Sequence, residues 1–140
     1  MRLLLDTNVI SELMARRPDP RVVTWIDSQD PMTVYLSVVT IGELRKGIEK
    51  LPPSPRRDTL HVWLVNDLLQ RFTGRILVLD IDVMLAWGEL TGRLERTGRP
   101  LPAVDALIAA LALHHRCHLV TRNSADFAGT GVSLLDPWLA

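Results

Sequence analysis

Apolar residues fall along this chain in two alternating rhythms. Short, nearly unbroken apolar runs at Arg2–Leu5, Thr33–Ser37, Arg75–Leu79 and Cys117–Thr121 predict strands, the first and third of them buried. Val132–Leu135 predicts a last short strand. Between these runs the apolar positions recur every three or four residues, as one face of a helix requires. Val38, Ile41, Leu44, Ile48 and Leu51 form one such stripe, and Leu60, Trp63, Leu64, Leu68 and Leu69 form another within Asp58–Phe72. Helices are also expected from Thr7 to about Arg17, where Pro18 and Pro20 stop the first, over Arg21–Asp27, and over Val83–Arg96. The segment from about 102 to 115 is apolar on all sides except at Asp105, which predicts a buried helix. Thr97–Pro100 and Asn123–Gly131 are turn-rich loops.

Strands alternating with helices indicate an α/β fold around a mainly parallel sheet. Such sheets bind ligands beyond the carboxyl ends of their strands. Asp6 directly follows the first strand, and Asn123 and Asp126 follow the fourth, so separate polar and acidic groups are expected at one rim.

At 140 residues the chain is expected to form a single domain, residues 1–140, able to bury a core without disulfide staples. Its one cysteine, Cys117, forms no internal disulfide, which fits a reducing cytoplasm. The first apolar run is too short for a signal peptide, and no stretch is long enough to span a membrane. Sixteen basic residues balance sixteen acidic ones, so no bulk basic field points to nucleic acid. The basic residues are fourteen Arg and two Lys, a bias that GC-rich codons produce by themselves.

Four acids at the edges of apolar elements carry the candidate chemistry: Asp6, Glu43, Asp105 and Asp126. Three have structural explanations of their own. Asp6 before Thr7-Asn8 suits a helix N-cap. Glu43 completes a capping box with Thr40, unless the helix begins earlier, near Ser37 or Val38. Asp126 suits a turn. Asp105 is harder to explain structurally, because an ionised carboxylate among apolar neighbours is costly unless it is paired or binds a cation. Together, four converging carboxylates require a hard divalent cation, Mg²⁺ or Mn²⁺, and the matching chemistry is phosphodiester hydrolysis.

Four segments in order resemble the PIN-domain ribonucleases, specifically the VapC-type toxins of bacterial toxin–antitoxin pairs. They are Leu4–Ile10, Leu36–Leu44, Pro102–Ala109 and Leu119–Phe127, and the resemblance runs over essentially the whole chain. It implies a three-layer α/β/α sandwich and a Mg²⁺- or Mn²⁺-dependent endoribonuclease. It implies Asp6, Glu43 and Asp105 as the acidic core, with Asp6 and Asp105 the most direct metal ligands. Thr7 or Asn8 would hold the first acid or a metal-bound water. The fourth acidic place is divided here between neutral Asn123 and Asp126; the charge is assigned to Asp126, with Asn123 as a hydrogen-bonding or water-mediated partner. Arg45, Lys46 and Arg122 are candidates for RNA phosphate contacts, against ordinary surface charge.

The resemblance also implies a small VapB-like antitoxin in the groove near the acids, with an antitoxin Arg pairing with the carboxylates, and a homodimer. Trp25, Trp63 and Trp87 suit core packing or an interface. The alternative is a catalytically silent PIN fold that binds RNA or protein without cutting. His114-His115-Arg116-Cys117-His118 runs from a helix end into a strand and is not expected to bind zinc. Asp80 and Asp82 are expected to cap a helix and not to accept a phosphoryl group.

Overall fold

The apolar runs become strands that are covered on both faces. The computed structural model describes residues 1–140. It contains one all-parallel sheet of β1 (Arg2–Leu5), β2 (Val34–Ser37), β3 (Ile76–Leu77), β4 (Cys117–Val120) and β5 (Leu134–Leu135), in the order β3-β2-β1-β4-β5. In β1, Leu3 and Leu5 enter one apolar cluster and Leu4 the other. That alternation is the two-residue period of a strand, and it places a core on each face of the sheet.

One core receives α1 (Thr7–Met14), α2 (Pro20–Asp27), α3 (Val38–Glu49) and α4 (Pro55–Val62), together with the π-helical turns Trp63–Leu68 that join α4 to α5 (Leu69–Arg71). The other receives α6 (Ile81–Arg96) and α7 (Ala103–His114). The result is the expected three-layer sandwich. Residues Ala106 and Ile108–Ala112 of α7 are buried against α6 and the sheet, which explains their unbroken apolar character.

Several boundaries differ from expectation. The third strand is not the buried run Arg75–Leu79: only Ile76–Leu77 pairs, and Val78 is 55% and Leu79 37% exposed. β3 lies at the sheet edge, where a strand has one neighbour and its end loses cover. α1 stops at Met14, because Ala15 turns extended and the chain runs out toward Pro18 and the Asp19 cap of α2. α4 begins at Pro55, earlier than Asp58, because Ser54 accepts a hydrogen bond from Arg57 N and Pro55 is suited to a first helical position. The last strand shortens to Leu134–Leu135. In α7 burial begins only after the first turn, and Val104 is exposed. Asp80 caps α6 by accepting from Val83 N at 2.9 Å, as expected.

The strand order sets the site. From β1 the chain moves outward through β2 to β3, then returns to build β4 and β5 on the other side of β1. Connections leaving β1 and β4 therefore diverge, and a cleft opens at their carboxyl ends.

Candidate active site

Asp6 stands at this switch point. Its backbone N–H donates to Val120 O at 2.9 Å, which continues the pairing of β1 with β4 by one residue. Its side chain accepts from Thr7 N at 2.8 Å and caps α1, so the structural role foreseen for it is real. The other carboxylate oxygen accepts from Thr121 Oγ1 at 2.8 Å.

Thr121 is fully buried and uses its whole hydrogen-bonding capacity. While donating to Asp6, its hydroxyl accepts from Asn8 Nδ2 at 3.2 Å and from Asn123 N at 3.1 Å. Asn8 Oδ1 in turn accepts from Arg122 N at 3.3 Å. The start of α1 and the loop after β4 are thereby tied together around one carboxylate.

Glu43 arrives from α3. Ser37 caps that helix, its Oγ accepting from Thr40 N at 3.0 Å, so Glu43 lies in the second turn and forms no capping box with Thr40. Instead it accepts a 2.5 Å hydrogen bond from Thr7 Oγ1. Thr7 Oγ1 also lies 3.0 Å from Thr40 Oγ1, which accepts from Ser37 Oγ at 3.2 Å. Because Thr7 has one proton and gives it to Glu43, Thr40 donates to Thr7, and the hydroxyls run in one direction toward the acid. Asp105 enters from the first turn of α7, half-buried, where the helix dipole favours an anion.

Asp6, Glu43 and Asp105 line one open cleft of about 530 Å³, together with Thr7, Asn8, Arg122 and Asn123. Burial pushes the Asp6 carboxyl above the usual carboxylate range, and the Glu43 charge adds to it, against hydrogen bonds from Thr121 and Thr7 that pull it down. Burial also raises Asp105, reinforced by the charges of Asp6, Glu43 and Asp126. The acids thus share one field. No three acidic, histidine or cysteine side chains form a ready-made ligand cluster. Like-charge repulsion opposes their approach, and Asp6 and Glu43 are already held by hydroxyl partners. As a donor set, several carboxylate oxygens with no thiolate or imidazole fit a hard divalent cation.

Three candidates, Asp126, Arg45 and Lys46, do not line the cleft. Asp126 lies exposed in the 3₁₀ turn Ser124–Phe127, within electrostatic range of Asp105, whereas Asn123 is on the cleft wall. Arg45 lies on the exposed side of α3, ion-paired with Glu49 at 3.2 Å.

Sequence reasoning also missed part of the opposite wall. Trp138, in the C-terminal 3₁₀ turn Pro137–Leu139, is buried against the α2 side and lines the cleft with Glu12. Its Nε1 donates to Glu12 Oε1 at 3.4 Å, and the Arg122 guanidinium lies 5.3 Å from its ring centroid. Nothing in the local sequence couples residues so far apart, although a Trp close to the chain end was a signal to weigh. Trp138→Phe keeps an aromatic ring but removes the Nε1 donor and weakens the cation–π contact. The expected cost is about 1–2 kcal/mol by urea denaturation. An unchanged midpoint would show that neither contact matters.

The PIN-domain family profile matches residues 3–131. Among curated relatives, toxin FitB of Neisseria gonorrhoeae is 38% identical over 136 residues, covering 97% of this chain and 98% of its own. VapC ribonuclease Y4jK of Sinorhizobium fredii is 36% identical over 136 residues, covering 97% of each. The crystal structure of FitAcB from Neisseria gonorrhoeae contains a chain that superposes with a TM-score of 0.94 at 37% identity, over 99% of both chains.

Proposed function

The chain belongs to the PIN-domain family, among its VapC-type toxins, and on that premise we propose that it is a Mg²⁺- or Mn²⁺-dependent endoribonuclease restrained by a cognate antitoxin. The observation that carries this reading is the convergence of Asp6, Glu43 and Asp105 on one cleft at the switch point of the sheet.

Asp6 and Asp105 are the residues best placed to hold a cation, with Glu43 completing the acidic wall and Asp126 adding negative field from outside it. A divalent cation bound there supplies a Lewis acid that polarises the phosphodiester and lowers the pKa of water. The chain's own groups do the positioning. Thr121 and Thr7 N fix the Asp6 carboxylate, and the Ser37–Thr40–Thr7 hydroxyls fix Glu43. Asn8 and Asn123 offer neutral polar groups to the substrate, and Arg122, held over Trp138, offers a guanidinium for a phosphate oxygen. Such arrangements lower the barrier by orienting the reacting groups in advance.

A trough of about 200 Å³ between α1, α3 and α4 opens onto Thr7 and Glu43 and is lined by Met14, Leu44, Ile48, Leu60 and Trp63. It suits the apolar side of an antitoxin segment whose Arg would reach the carboxylates. A homodimer, which the family implies, would cover apolar side chains such as Val78, Ile81 and Leu85 that are exposed in one copy. No helix is long and apolar enough to cross a membrane. We place the protein's action on RNA in the cytoplasm.

The test is cleavage of RNA by purified protein with Mg²⁺ or Mn²⁺, with and without chelator. Discrete products that disappear with chelator, and again on adding the antitoxin, are expected. Cleavage indifferent to chelator, or none of any RNA tried, would refute the reading.

A further inference from the structure

Both lysines of this chain, Lys46 and Lys50, line one groove, and neither is ion-paired. The groove holds about 420 Å³ and crosses the exposed face of α3, bounded by Gly42, Glu43, Gly47 and, on α7, Val104. Glu43 lines the active-site cleft as well, so the two spaces meet at that side chain.

The basic residues at this end of α3 are divided by partner. Arg45 is paired with Glu49, which also binds Arg57 of α4 at 2.9 Å. Lys46 and Lys50, four residues apart, share a face and leave their charges unmatched. The floor between them and the cleft is bare. A Cβ added to Gly42 or Gly47 would meet no atom within 4 Å, so packing does not demand glycine at either place. Each glycine nevertheless costs a helix about 1 kcal/mol relative to alanine. What the two glycines provide is room for another chain to approach the helix closely. With formal net charge +0, the protein has no general attraction for a polyanion, and local cations must supply it.

Resting on the endoribonuclease reading, we propose that this groove holds the sugar–phosphate backbone of the RNA flanking the scissile bond, with Lys46 and Lys50 each countering a phosphate. Lysine ammonium groups are mobile point charges, so the groove contributes affinity and placement and reads no bases.

The test compares Lys46→Gln/Lys50→Gln with a charge-matched control, Arg71→Gln/Arg116→Gln. Arg71 ends α5, shortly before β3, and Arg116 stands just before β4, so both lie toward the amino ends of parallel strands, whereas the cleft is at the carboxyl ends. Binding of a fluorescein-labelled single-stranded RNA is followed by anisotropy, in the Asp105→Asn background, across a salt series. The lysine variant is expected to bind about tenfold more weakly at low salt. The slope of log K against log salt is expected to fall by about 1.4, at roughly 0.7 per lost phosphate contact. In the cleavage-competent protein KM should rise about tenfold, with kcat within a factor of two.

If the lysines serve only the carboxyl end of α3, the variant will lose stability while its salt slope matches the control, and the proposal fails. If the unsubstituted protein cleaves RNA and both double variants behave alike, the groove is wrong and the nuclease reading stands. If the unsubstituted protein neither binds nor cleaves RNA, both fall together.

Discussion

Asp105→Asn is expected to lower RNA cleavage by roughly 10³-fold while making the metal-free protein more stable. The two effects have one cause. Burial and the charges of Asp6, Glu43 and Asp126 all disfavour the ionised form of Asp105 and raise its pKa in the folded chain. A raised acid holds its proton more tightly when folded than when unfolded. Stability therefore falls as pH rises from the ordinary carboxylate value through the raised one, and the full penalty is present at neutral pH. Asn carries no charge, so its gain in thermal midpoint should be greatest near pH 7 and fade as the pH is lowered toward 4. Asp6 is raised in the same direction, which extends the acid-side gain of the parent protein. In the presence of Mg²⁺ or Mn²⁺ the order should reverse, because only the parent is stabilised by a bound cation, by about 2.7 kcal/mol at a hundred times the dissociation constant. Thermal unfolding across pH, with and without Mn²⁺, checks both signs. An Asn variant that is less stable than the parent without metal would mean that the acids do not repel one another in the folded protein.

Thr121→Val is the second large effect, and it acts without touching a charge. The substitution nearly preserves volume but removes a hydroxyl that donates to the buried Asp6 carboxylate and accepts from Asn8 Nδ2 and Asn123 N. Hydrogen bonds to charged groups contribute about 1.5–3 kcal/mol, and the abandoned buried donors add to the loss. A destabilisation of about 2–4 kcal/mol is expected by denaturant titration. Activity should fall about 10–100-fold, as when the orienting partner of a ligand is removed. Thr121→Ser restores the hydroxyl and should recover most of both. If Val and Ser variants lose activity equally, the methyl group and not the hydroxyl is what the site requires.

The helices and strands were legible because their apolar periods are local. Alternation within Leu3–Leu5 and the stripe on α3 each record which side of an element meets the core. The edge strand was misjudged for the complementary reason. Val78 and Leu79 are as apolar as the residues of a central strand, and only the sheet order leaves them uncovered. The acids were legible one at a time as residues out of keeping with their surroundings, Asp105 most of all. Of the groups that hold them, only Thr7 and Asn8 were foreseen, and those through the family resemblance. Thr121 is an ordinary residue at a strand end, and the pairing of Thr7 with Glu43 joins positions 36 residues apart.

From its order of residues alone, this chain determined an α/β fold around a mainly parallel sheet and the acids at the strand and helix ends, since burial patterns and cap chemistry are written within a few residues of where they act. Only the tertiary structure decided that β1 lies between β2 and β4, that Asp6, Glu43 and Asp105 face a common cleft, and that Asn123 lines its wall while Asp126 does not. Strand order and side-chain convergence depend on contacts between segments remote in the chain, and the free energy that selects them comes from packing the whole core at once.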